Sequence, residues 1–244
     1  MPVFQLTNEL IFPPPHLATD NGLLAVGGDL SPERLLLAYR MGIFPWFSDG
    51  DPILWWSPAP RLILEPLELK ISRRLNRTIR KGLFRVTMDC AFNQVITSCA
   101  HVVRRHEEST WITAEIITAY NRLHELGFAH SVECWQGHQL AGGLYGVGLG
   151  GIFFGESMFS TISDSSKVAL VYLAKQLTDW DFNLIDCQVK NAHLLRLGAR
   201  EISRQEFQRR LADHINRPTR RGRWTALGHE ITVPGQTRNQ DRSC

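Results

Sequence analysis

The sequence predicts an α+β protein, a small N-terminal domain followed by a larger one with a central mixed sheet. The first sixty residues concentrate Pro, Gly and Trp around one clear helix. Beyond residue 63, apolar residues at helical spacing alternate with short strand-like apolar runs. The resulting order, helix–strand–helix–helix–strands–helix–strand–helix, suits neither an all-α nor a strictly alternating fold. With 244 residues the chain can bury a genuine core. The boundaries expected are 1–62, 63–216, and a basic tail over 217–244, loose at least beyond Trp224.

The elements follow in order. Pro13-Pro14-Pro15 is stiff and extended. Ser31-Pro32-Glu33 opens a helix with a capping hydroxyl, a proline at the first helical position and an acid in the first turn. Leu35, Leu36 and Tyr39 give that helix its apolar stripe, and Gly42 stops it. Ile43 to Pro60, with Trp46, Trp55 and Trp56 among prolines, reads as a rigid aromatic platform. A helix is expected over 68–81, from Ile71, Leu75 and Ile79, then a strand over 84–88. Phe92 to Val103 is helical. Thr113 caps a second helix that ends at Gly127. Strands follow at 129–135, 139–145 and 151–156, a helix at 164–180, a strand at 182–188 and a short helix at 192–197. Ser203 and Glu206 form a capping box for the last helix.

Composition narrows the function classes. Hydrophobic residues make up 43% and charged residues 21%, ordinary for a soluble globular protein. No apolar run approaches the roughly 20 residues that span a bilayer. Met1 to Phe12 lacks the basic start of a signal peptide, so a cytoplasmic protein with no membrane partner is expected. The five cysteines form no CxxC pair and no Cys/His ligand spacing, so reduced thiols and no zinc site are expected. The histidines show no HxxxH pair, and no metal is expected.

A formal net charge of +3 decides little, but its distribution does. Lys70, Arg73, Arg74, Arg77, Arg80, Lys81 and Arg85 fall in one stretch without an acid. Arg217, Arg220, Arg221 and Arg223 form a second cluster. Such local fields attract polyanions. With Trp46, Trp55, Trp56 and Trp111 available for stacking, the pattern favours a single-stranded RNA end over duplex reading. Core packing is the plainer role for at least two of the four.

Three polar residues sit where a core would prefer Val or Leu: Glu156, Asp186 and Gln188. Burying such a group unpaired costs on the order of 1–3 kcal/mol or more. Strand alternation puts Asp186 and Gln188 on one face, where a carboxylate and an amide can orient an attacking amine. Structural hydrogen bonding is the plainer reading of each. The glycines from Gly142 to Gly151 lead into a strand, not a helix, so they read as close-approach glycines and no nucleotide cofactor is expected. Ser157 lacks the final glycine of a nucleophile elbow.

Ordered markers then give a resemblance. They are Asn21 to Ala25 with Gly27 to Pro32, Gly42-Ile43-Phe44-Pro45-Trp46-Phe47, Trp55-Trp56-Ser57-Pro58, and Thr110-Trp111-Ile112-Thr113. Tyr120 with Leu123-His124, Gly155-Glu156-Ser157-Met158-Phe159-Ser160, Leu184-Ile185-Asp186-Cys187-Gln188 and Leu197-Gly198-Ala199 complete the series. From about Gly22 to Gly198 the chain resembles the leucyl/phenylalanyl-tRNA–protein transferases. The resemblance implies a C-terminal domain like the GCN5-related acetyltransferases, with a central mixed sheet. It also implies transfer of Leu or Phe, less readily Met, from aminoacyl-tRNA to proteins beginning with Lys or Arg, marking them for degradation. It implies a monomer and no cofactor, because the aminoacyl ester is already activated.

Carried over by position, Gln188 would draw a proton from the acceptor ammonium while Asp186 supports it. Whether a protein base is needed, or the terminal adenosine helps, stays open. Glu156 matches a polar contact near the aminoacyl group. Trp46 and Trp111 match the aromatics that hold the terminal adenosine. Leu144, Phe153, Leu170 and Ile185 would line the side-chain pocket. Arg73, Arg74, Arg77, Arg80 and Lys81 would grip the acceptor stem through phosphates. The chain departs from the family pattern in an insertion-like His101 to His106 and in its long basic tail. The alternatives are an acetyl-CoA-dependent N-acetyltransferase, which needs a pyrophosphate loop not found here, and a non-catalytic RNA-binding module.

Overall fold

The structure is a computed structural model that describes residues 3–101 and 111–225. Two sheets organise it. The smaller has four strands, β1 (Phe4–Leu6), β2 (Leu23–Gly27), β3 (Phe44–Pro45) and β4 (Leu54–Trp56), in the order β1-β2-β4-β3. None of these strands is expected from the sequence, because each is held by pairing with distant segments of the chain. Helix α1 (Pro32–Arg40) starts as expected, with the Ser31 side chain accepting from the Arg34 amide. Arg34 itself is fully buried. Its Nε donates to Asp29 Oδ2 at 3.0 Å and its Nη2 to the Thr7 carbonyl at 3.0 Å, tying α1 to the edge strand. The tryptophan platform is held by indole hydrogen bonds, Trp55 Nε1 to Gly27 O at 2.9 Å and Trp56 Nε1 to Trp46 O at 2.6 Å.

The larger sheet has seven strands: β5 (Arg61–Leu64), β6 (Arg85–Met88), β7 (Ala129–Gln136), β8 (Gln139–Leu149), β9 (Ile152–Ser160), β10 (Leu184–Asp186) and β11 (Arg200–Ile202). Their order is β11-β5-β10-β9-β8-β7-β6. Only the pair β9–β10 is parallel, joined through α5 (Ser165–Asp179); the other pairs are antiparallel. The fold is therefore α+β with a mixed sheet. Arg61 and Leu62 already pair within this sheet.

Alternation along the strands feeds two cores. Tyr145, Phe154 and Leu184 join an apolar cluster with α1, with α3 (Phe92–His101) and α4 (Ala114–Glu125), with α7 (Arg204–Ile215) and with the small sheet. Leu144, Phe153 and Ile185 face the other way, into a cluster with α5. The glycines of β8 permit close approach, as expected. A Cβ at Gly146 would lie 2.2 Å from the Phe154 carbonyl oxygen, and one at Gly142 would lie 2.1 Å from Ser165 Oγ.

One expectation needs correction. Helix α2 covers Arg73–Arg80, not 68–81, because Ser72 caps it by accepting from the Leu75 amide; Leu75 is buried there, while Ile71 is exposed. The basic stretch from 217 is packed on the body as far as Trp224. Trp224 stacks on His130 at 3.6 Å and its amide donates to Asp89 Oδ2 at 2.6 Å. Arg220 covers the Trp180 ring and Arg221 the Phe128 ring, while Arg217 donates to Asn183 and to the Asp181 carbonyl. Those cations already have partners within the chain. Residues 226–244 of the expected tail, and the expected insertion from 102 on, lie outside the described residues. Cys99, Cys134 and Cys187 are free thiols.

Candidate active site

The parallel pair β9–β10 splays, and the splay makes the site. Pairing ends at Phe154↔Asp186, after which β9 continues to Ser160 bonded to β8 alone. A cavity of about 490 Å³ opens between the diverging segments, beyond the carboxyl ends of the parallel strands, where open sheets commonly place ligands. Gly155 to Met158 form one wall, and Cys187 to Asn191 the other. Leu144, Phe153, Leu170, Leu173 and Ile185 make an apolar end. Phe44, Trp46 and Trp111 bring in the aromatic segments, with Trp46 still 39% exposed.

Polar groups converge on Glu156, which is buried. Tyr39 on α1 donates its hydroxyl to Oε1 at 2.8 Å, Tyr120 on α4 to Oε2 at 3.1 Å, and Gln188 Nε2 to Oε1 at 2.9 Å. The two tyrosine hydroxyls also touch each other. Burial pushes the Glu156 carboxyl up to about 7, and the Asp186 charge adds to this; the hydrogen bonds from Tyr39, Tyr120 and Gln188 oppose it. Burial, together with the Glu156 charge, drives both tyrosines well above their ordinary range, so they remain donors. With its amide nitrogen committed to Glu156, Gln188 has its carbonyl oxygen left to accept a hydrogen bond.

Asp186 is placed differently. Its carboxylate is fully buried in a fork with Arg61, Nε to Oδ1 at 2.8 Å and Nη2 to Oδ2 at 2.6 Å. Oδ1 also accepts the Gln188 amide at 3.0 Å, closing a local turn. Gln188 stands at φ +62, the left-handed region that a non-glycine residue adopts at a cost of order 1–3 kcal/mol. The strand ends at Asp186, so the shared face expected from alternation does not form. Gln188 lines the cavity and Asp186 does not.

Comparison with known proteins decides the family. The family model described as leucyl/phenylalanyl-tRNA protein transferase matches residues 63–212, and the model for that family's N-terminal domain matches residues 28–59. The chain belongs to this family. Curated members support it. The leucyl/phenylalanyl-tRNA–protein transferase of Syntrophobacter fumaroxidans is 62% identical over 88% of this chain and 92% of its own length. That of an Anaeromyxobacter species is 59% identical over 92% and 95%. Among solved structures, L-PGS from Bacillus licheniformis gives a TM-score of 0.35 at 11% identity, covering 69% of this chain and 54% of its own. That likeness is too low to carry any argument.

Within this leucyl/phenylalanyl-tRNA–protein transferase family member, the cavity gathers most of the residues singled out from sequence: Glu156, Gln188, Trp46, Trp111, Leu144, Phe153, Leu170 and Ile185. Arg73, Arg74, Arg77, Arg80 and Lys81 do not line it; they form an exposed surface on and just after α2. Of the other tryptophans, Trp55 is a core residue. Sequence reasoning missed Tyr39 and Tyr120 as polar groups, since each sits on an apolar helical stripe. It also missed Arg61, although an arginine opening an apolar strand was a visible oddity.

The Glu156 environment predicts a pH dependence. Its folded value of about 7 lies above the ordinary 4.5. The resulting stability is therefore complete below about pH 4.5 and is lost as pH rises through 7. The difference amounts to roughly 3 kcal/mol. Urea unfolding from pH 4.5 to 8 should show wild type losing that much relative to Glu156→Gln; parallel curves would refute the assignment.

Proposed function

We propose that this protein transfers leucine or phenylalanine, and less readily methionine, from its charged tRNA to the α-amino group of proteins beginning with Lys or Arg, so marking them for degradation. Family membership across both matched segments carries the reading. Aminoacyl transfer from tRNA to protein is what its curated relatives are named for. The acceptor residue, the degradation outcome, a monomeric state and a cytoplasmic location are parts of the proposal. So is an acetyltransferase-like character for the larger domain, suggested by its mixed sheet with a splayed parallel pair.

The chemistry exchanges an ester for an amide. The acceptor nitrogen bonds to the aminoacyl carbonyl carbon, the bond to the ribose oxygen breaks, and the proton lost by the amine is balanced by one gained at that oxygen. Gln188 is the group proposed to meet the amine, its carbonyl oxygen accepting an N–H while Glu156 fixes the amide's orientation. Asp186 acts behind Gln188, through its backbone. Leu144, Phe153, Leu170 and Ile185 would receive the aminoacyl side chain. Apolar walls discriminate by only about 1–3 kcal/mol per methylene, which fits selection of several unbranched-at-Cβ side chains. Trp46 and Trp111 would stack the terminal adenosine.

The decisive assay mixes the protein with labelled leucyl-tRNA and peptides beginning with Arg or Ala. Label on the Arg peptide alone establishes donor and acceptor together; label on neither refutes the proposal. The exposed cations of α2 are proposed to hold the acceptor stem. Charge reversal at Arg77 and Arg80 should weaken tRNA binding and shallow its salt dependence by about two counter-ions. An unchanged slope would show that the helix is an ordinary solvated face.

A further inference from the structure

We infer that Arg61 is a positioning residue for transfer: its clamp on Asp186 holds Gln188 in the left-handed backbone that directs its side chain to Glu156 and the cavity. The inference rests on the aminoacyl-transfer reading above. Arg61 is 1% exposed. Its guanidinium lies between the rings of Phe44, at 4.8 Å, and Phe207, at 4.5 Å, so its fork can point only one way. The fork takes both oxygens of Asp186. Oδ1 then has its remaining capacity directed to the Gln188 amide. The neighbouring residue of β5 holds the same backbone from the other side, with Leu62 N donating to Gln188 O at 3.1 Å and Cys187 N to Leu62 O at 2.9 Å.

Two physical points separate positioning from plain stability. A buried ion pair is a poor stabiliser, since apolar residues of similar volume often serve as well. A left-handed non-glycine residue persists only where its surroundings over-determine it, and such strain gathers at functional sites. Here the ion pair and the strained residue are one unit. Lysine would keep the charge of Arg61 but lose the two parallel N–H bonds that fix the carboxylate plane.

The test removes the clamp without leaving a buried charge. The double variant Arg61→Met with Asp186→Leu should melt close to wild type and keep its KM for leucyl-tRNA, because the donor-binding walls are untouched. Its kcat should fall about tenfold to a hundredfold, the scale of a small misplacement at a reacting centre. Arg61→Lys should be intermediate. A folded double variant with full kcat, or a loss confined to KM, would overturn the inference. Should the double variant not fold, Arg61→Lys decides, with undiminished kcat overturning the inference and a reduced kcat upholding it. If wild type itself fails to transfer, the functional reading falls separately. The clamp is then judged by the crystal structure of whichever variant folds, where a relaxed Gln188 backbone upholds it and an unchanged one overturns it.

Discussion

Gln188→Ala should lower kcat for leucine transfer to an Arg-initiated peptide by about 10²- to 10³-fold, within the range lost when a positioned proton-handling group is removed. KM for the charged tRNA should hardly move, since the apolar end of the cavity and the two tryptophans are unchanged. The fold should survive, because Gln188 lies at the cavity wall, where its side chain donates to Glu156. Alanine in the left-handed region costs about what glutamine does. Losing that donor takes away one of the three hydrogen bonds that restrain the rise of the Glu156 carboxyl, so residual activity should shift to higher pH. Single-turnover rates measured across pH 6 to 9 test both statements. Activity within twofold of wild type would remove Gln188 from the reaction.

Asp186→Asn should act on folding as much as on transfer. The substitution leaves Arg61 charged, buried and deprived of its carboxylate, a loss of about 3–5 kcal/mol for breaking a buried pair from one side. In a chain of this size that is roughly a 10 °C fall in melting temperature. From sequence alone, replacement of either Asp186 or Gln188 is expected to cripple transfer and spare the fold. The fork with Arg61 makes them unlike. A urea midpoint unchanged in Asp186→Asn would show that the pair carries no such energy. Comparing the two variants separates a group facing the cavity from one acting behind it.

The parts of this protein legible in the sequence are those with local causes. Ser31, Thr113 and Ser203 announced helix starts that the structure keeps to the residue, because a cap is set by neighbours within four positions. The glycines of β8 were readable because they ran into Ile152-Phe153-Phe154, not into a helix. Glu156 and Gln188 stood out because polar groups in apolar strands need a reason. Helix α2 shows the limit. Ile71, Leu75 and Ile79 have perfect spacing, yet Ser72 ends the run locally and Ile71 stays exposed. The small sheet was invisible, since its strands hold together by pairing across distant segments.

By itself the sequence determined the family, the α+β class, the helix boundaries set by caps, and the short list of polar residues out of place in a core. All of these depend on residue type and spacing along the chain. Only the tertiary structure decided what each of those residues does. It brought Tyr39, Tyr120 and Gln188 to one carboxylate across 117, 36 and 32 positions, and set Arg61 against Asp186 across 125. It also turned two neighbours in sequence, Asp186 and Gln188, to opposite purposes. The reason is that a buried charge or amide must find its partner wherever the packed chain supplies one, and no spacing rule along the sequence encodes that distance.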